Sequence, residues 1–133
     1  LALPGLPPTD DGKALQEKVK AATAIILATP EYHGSFSSVI KLVIENLGFP
    51  SVLSGKPVAL LGVAAGGIGA IKSLESLRGV VSHVGCIVMP GAVSVAGVQG
   101  IFDEDGACSD ERTEKRLRGL ATGLLEYIEA TAR

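Results

Sequence analysis

The stretch ATPEYHGSFSSVIKLVIENLG, Ala28–Gly48, contains the change of period from which the fold is read. It is entered through AIILA, Ala24–Ala28, a short apolar run without alternation. Such a run suits a strand buried on both faces, as in a parallel sheet covered by helices. Thr29–Ser35 (TPEYHGS) then reads as a polar loop broken by Pro and Gly. Phe36, Ile40, Val43, Ile44 and Leu47 follow at helical spacing, with Ser35 expected as the N-cap and Gly48 as the stop.

The same strand-loop-helix grammar extends on both sides. Leu1–Pro8 (LALPGLPP) is an irregular lead-in, and Thr9 or Asp10 caps a helix whose apolar face is Leu15, Val19 and Ala22. Downstream, Pro57 opens a second apolar run, VALLGVA, which ends in the loop Ala64–Gly69 (AAGGIG). A helix with Leu74, Leu77, Val80, Val81 and Val84 on one face stops at Gly85, and a third strand, Cys86–Met89, closes at Pro90. Gly91–Ser109 is irregular, with Ala92–Ala96 as a short extension strand. The last helix covers about Asp110–Thr131 on an inner stripe of Leu117, Leu120, Leu124 and Ile128. One helix followed by three β-α units predicts an α/β domain, 1–133, with a parallel sheet between helical layers. Right-handed crossovers bring the loops after the strands to one carboxyl edge, where open α/β sheets bind ligands. TPEYHGS, AAGGIG and the MPGAV segment after Val88 are therefore expected to converge there.

Composition narrows the function classes. Among 133 residues, 12 are basic and 14 acidic, a net charge of −2, with 47% hydrophobic side chains. That balance offers no basic field for nucleic acid. Half of the charged side chains lie from Asp103 onward, the mark of a solvated outer helix. No apolar run has the length of a membrane span, and the amino end is not a signal peptide. Cys86 and Cys108 form neither a disulfide framework nor a CxxC motif, which points to a reducing, cytoplasmic setting. Glycine is in surplus, 17 residues, about twice ordinary usage.

The glycine loop matches no phosphate or nucleophile motif. Gly62 and Gly67 have Walker A spacing, but Ile68 and Gly69 stand where Lys and Ser or Thr are needed. A dinucleotide fingerprint starting at Gly67 lacks its third glycine, so a Rossmann-type nucleotide enzyme is a weak alternative. GxSxG is absent, and no metal-ligand spacing occurs. What remains is a loop whose small residues leave backbone amides open at a helix N-terminus, suited either to a flat ring system or to a tight packing turn. In TPEYHGS, Tyr32 offers an amphipathic ring, Glu31 a carboxylate and His33 a hydrogen-bonding group. Taken alone, these read equally as loop anchors and solvated charge.

Together the motifs resemble the NADPH-dependent FMN reductase family, flavodoxin-like proteins that include azo, quinone and chromate reductases. The family pattern is close to TPEYNGS, then a helix, then a GKP opening the next strand; Gly55-Lys56-Pro57 supplies the last piece. The likeness continues through AAGGIG, AIKSLESLRGVVSHVG and FDEDG. It implies a three-layer α/β/α flavodoxin-like fold with FMN held non-covalently at the carboxyl edge. Pro30, Glu31, Tyr32, His33, Gly34 and Ser35 match one FMN loop, and Ala65, Gly66, Gly67 and Gly69 the other. It further implies NADPH or NADH as co-substrate, a quinone, azo, flavin or metal-oxyanion acceptor, and a homodimer or homotetramer. No metal and no acid-base catalytic residue is implied. His33 departs from the family's usual Asn, and Gly67 stands where relatives often carry a larger or basic side chain. The family's opening strand, GSxRxxS-like phosphate loop and first helix have no counterpart in these residues. An N-terminally incomplete domain is therefore expected, with a non-catalytic flavodoxin-like binding module as the alternative.

Overall fold

Strand β1 (Ile25–Tyr32) is longer than its apolar run, because Thr29–Tyr32 continue the extended backbone that AIILA begins. In this computed structural model, which describes residues 1–132, the expected loop is the end of a strand. The chain reverses at His33-Gly34 and returns as β2 (Ser35–Phe36), pairing Glu31 with Phe36 and Tyr32 with Ser35. Both turn residues have positive φ, 51° and 77°, as a two-residue type I′ hairpin turn requires. Ser35 is thereby drawn into the ladder, and the expected N-cap moves two residues on. Ser37 accepts the Ile40 amide at 3.1 Å and starts α2 (Ser38–Glu45).

The other elements follow the apolar periodicity closely. Helix α1 (Asp10–Ala21) is capped by Thr9, α3 (Ile71–His83) follows the glycine loop, and α4 (Glu111–Thr131) is capped by Asp110. Strand β3 (Pro57–Val63) is the sheet's spine. It pairs in parallel with β1 on one side and, on the other, with β4 (Ile87–Val88) at its start and β5 (Val93–Val95) at its end.

Alternation along β3 separates two cores. Val58 and Leu60 face α1, α2 and α3, in a cluster with Val19, Leu27, Ile44, Leu74, Leu77 and Val81. Ala59 faces α4, in a cluster with Val93, Val95, Leu120 and Leu124. The architecture is the expected α/β/α sandwich with a mostly parallel sheet. On the α4 side its cover is partial: Ile26, in register with Ala59, and Ala28, in register with Leu61, are exposed. Among the described residues, Ile25–Pro30 pair on the β3 side only.

One expected loop is displaced. Met89–Ala92 bulges out between β4 and β5, level with the middle of β3, because β5 resumes the parallel pairing as far as Val63. It lines a cleft of about 400 Å³ against Arg116, Gly119 and Gly123 of α4, away from the carboxyl edge. The segment that does reach that edge follows β5, where the Gly97 and Val98 amides donate to Gly66 and Ala64.

Candidate functional site

Two loops meet at the amino end of α3. The first is the hairpin tip. Pro30 is half-buried opposite Val63, whereas Tyr32 is 63% exposed, and His33 and Gly34 are exposed beside it. Ser35 is half-buried in β2. The tip leans on α3, since a Cβ at Gly34 would lie 3.6 Å from Lys72 Cδ. Glu31 is turned away from solvent chemistry: its Oε2 accepts the Ser73 amide at 3.0 Å, in the first turn of α3.

The second loop joins β3 to α3. Ala65, Gly66 and Gly67 are exposed, and a Cβ at Gly66 or Gly67 would meet nothing within 4 Å. Among the described residues, the amides of Ala65, Gly66, Gly67 and Ile68 donate to no protein acceptor. The loop is nonetheless held in place. Ala64 donates to Val95, and the Gly66 carbonyl accepts from Gly69 and Gly97. Gly69 differs from the other three glycine-loop positions. It is buried at φ 83°, where a Cβ would fall 2.5 Å from Ser94 Oγ.

This is a shelf of open amides beside a helix N-terminus, and each loop carries an exposed apolar side chain: Tyr32 on the hairpin and Ile68, 84% exposed, on the glycine loop. Unsatisfied donors and the positive end of a helix dipole favour carbonyl oxygens and delocalised negative charge. A flat conjugated ring system with carbonyl acceptors fits that chemistry. The ring portion of FMN has that chemistry, and Gly66 and Gly67 leave the space beside the amides open.

A profile of the family described as NADPH-dependent FMN reductase matches residues 3–100. The chain belongs to the NADPH-dependent FMN reductase family. It is 35% identical over 99 residues to an NADPH azoreductase of Bacillus sp. (strain OY1-2), covering 74% of this chain and 53% of that protein. It is 35% identical over 118 residues to an FMN-dependent NADPH-azoreductase of Staphylococcus aureus (strain USA300), covering 87% of this chain and 62% of that one. The chain thus spans less than two thirds of either relative. Among solved structures, FerB, a flavoenzyme NAD(P)H:(acceptor) oxidoreductase from Paracoccus denitrificans, superposes with a TM-score of 0.76 at 28% identity, covering 95% of this chain and 76% of that one.

Three further residues lie against these two loops that were not candidates from the sequence. Lys72 lies against the hairpin tip, the Ser73 amide donates to the Glu31 carboxylate, and Ser94 fills the space beside Gly69. Lys72 and Ser73 had one sequence signal, their place in the first turn after the glycine loop. Ser94 had none, since its partner Ala70 is 24 residues away.

Proposed function

We propose that this chain forms the flavin-ring half of an FMN-dependent NAD(P)H oxidoreductase whose acceptor is a quinone, azo compound, free flavin or metal oxyanion. The observation that carries the reading is the shelf itself: four consecutive amides without acceptors among the described residues, beside glycines with open space around them, at the amino end of α3. FMN, when bound, supplies the redox chemistry, taking hydride from NAD(P)H and passing electrons on.

The protein's part is binding, orientation and electrostatics. The amides of Ala65–Ile68 would hold the ring and, with the α3 dipole, would favour the negative charge of its reduced form. Tyr32 and Ile68 give apolar cover from the two loops, and Pro30 stiffens the strand that carries Tyr32. Lys72 contributes a positive charge next to the hairpin tip. No side chain is required as an acid or base for hydride transfer itself, in keeping with a shelf made of backbone.

A homodimer or homotetramer is part of the same proposal, supported by the apolar groove of about 820 Å³ between α2 and α3, at whose rim Phe49 is 87% exposed. A cytoplasmic location goes with it, supported by the two free cysteines. Among the described residues, no helix is long and apolar enough to cross a membrane.

The test is FMN titration of the purified chain followed by flavin fluorescence, then NADPH oxidation in the presence of an azo dye. Saturable quenching together with dye-dependent NADPH consumption is expected. Absence of saturable FMN binding overturns the reading.

A further inference from the structure

Helix α3 begins without a cap of its own. One first-turn amide in each of α1, α2 and α4 donates to the adjacent cap side chain, Thr9, Ser37 or Asp110, but Ala70 at the start of α3 has no side chain to offer. Two side chains from other elements take over. Ser94 Oγ, on β5, accepts the Ala70 amide at 2.8 Å, and Glu31 Oε2, on β1, accepts the Ser73 amide at 3.0 Å. The Ser73 hydroxyl, wholly buried, turns back to donate to the Ala70 carbonyl at 2.9 Å.

We infer that Glu31 and Ser94 are positioning residues, which hold the hairpin tip and the glycine loop at a fixed separation by referring both to one helix terminus. The inference rests on the flavin-shelf reading and assigns Glu31 a role through α3 rather than on the ring. The hairpin needs such a tie. Its strands share only two residue pairs, Glu31 with Phe36 and Tyr32 with Ser35, and a ribbon that short is marginal by itself. The side chain that crosses from the hairpin to α3 is a carboxylate, and it meets the positive end of the helix dipole in a charge-assisted bond. Ser94 does the same for the other loop, since the hydroxyl that holds Ala70 also fills the space that Gly69 leaves open.

The experiment compares FMN affinity and backbone hydrogen exchange in the full chain for Glu31→Ala, Glu31→Gln, Ser94→Ala and a remote control, Asp110→Ala, which removes the cap of α4. Glu31→Ala is expected to weaken FMN binding about tenfold, as loss of one charge-assisted hydrogen bond implies, and to expose the amides of residues 32–35 to exchange. Gln keeps an acceptor oxygen at the same reach, so Glu31→Gln should restore most of both. Ser94→Ala should weaken FMN binding and loosen residues 66–70. Asp110→Ala should lower Tm while leaving FMN affinity and hairpin exchange alone.

Wild-type FMN affinity in Glu31→Ala, or an equal loss in Asp110→Ala, overturns the inference. If Glu31→Ala does not fold, Ser94→Ala decides, and unchanged FMN affinity there overturns the inference in the same way. Should the wild-type chain take up no FMN, the flavin reading fails. Hairpin exchange in Glu31→Ala still decides the tie, and protection unchanged at residues 32–35 refutes it.

Discussion

His33 sits at φ 51° and Gly34 at φ 77°, the two central positions of the hairpin turn. A left-handed conformation costs a residue with a Cβ roughly 1–2 kcal/mol, a penalty that Gly escapes and Asn largely avoids through local hydrogen bonding. His33→Asn should therefore stabilise the chain by a few tenths to about 1 kcal/mol, seen as a higher urea midpoint with an unchanged m-value. Gly34→Ala tests the same strain from the other side. The new methyl would touch only Lys72 Cδ, at an ordinary 3.6 Å, so its expected cost of about 1–2 kcal/mol is purely conformational. Gly67→Ala and Gly69→Ala should part company. The first meets open space and is expected to leave stability near wild type while weakening FMN binding. The second drives a Cβ into Ser94 Oγ and is expected to destabilise the chain outright. Cys86 belongs to this scale too. Burial pushes its thiol up, which fits a packing role under the Leu53 carbonyl rather than a reactive one.

Helices and strands were legible in the sequence wherever burial repeats with a period. Leu74, Leu77 and Val81 are buried on α3, Leu120 and Leu124 on α4, and the uninterrupted AIILA and VALLGV runs fall in the parallel-paired strands β1 and β3. What stayed hidden depends on contacts distant in sequence or on backbone signs. His-Gly does not announce a type I′ turn as Asn-Gly does, so Ser35 looked like a cap when it is a ladder residue. Two features of the glycine-loop unit are of this kind. Gly62 is a close-approach site, where a Cβ would lie 2.7 Å from the Ala70 Cβ, and α3 takes its caps from β1 and β5. The Lys56 of GKP has an element-scale role as well: its ammonium donates to the Lys20 and Ala22 carbonyls and closes the carboxyl end of α1. Lys56→Met should cost about 1–2 kcal/mol and raise hydrogen exchange in the last turn of α1. Asp110, at the head of α4, makes its contribution depend on pH. The Thr113 hydroxyl, and then the Thr113 amide, hold its carboxyl below the usual carboxylate range. A depressed folded-state pKa stabilises above the unfolded value near 3.9 and is lost as pH falls through the folded one. The Tm gap between wild type and Asp110→Ala should thus be full at neutral pH and close on acidification below about pH 4.

For the molecule as a whole, the two sheet faces differ in cover, and so do the two routes by which copies can meet. On the α1–α2–α3 side the sheet is sealed, and the apolar surface that remains lies outside, around Phe49 between α2 and α3. On the α4 side, Ile26 and Ala28 are exposed on a strand that, among the described residues, pairs on one side only from Ile25 to Pro30. The β4–β5 edge is guarded differently, since its ladder is interrupted at Met89–Ala92 and carries Pro90 there, both devices that discourage strand addition. A helical face with a twofold partner gives a closed oligomer of fixed size, whereas an open strand edge beside apolar side chains gives association that grows with concentration. Light scattering across a dilution series distinguishes the two. Phe49→Ser should convert a discrete oligomer to monomer and leave any concentration-driven rise in mass untouched. Ile26→Lys places a charge on the exposed face of β1 and should suppress that rise while leaving the discrete oligomer in place. If Ile26→Lys instead dissolves the discrete species, the oligomer is built on β1, and the assignment of the α2–α3 face as its interface is wrong.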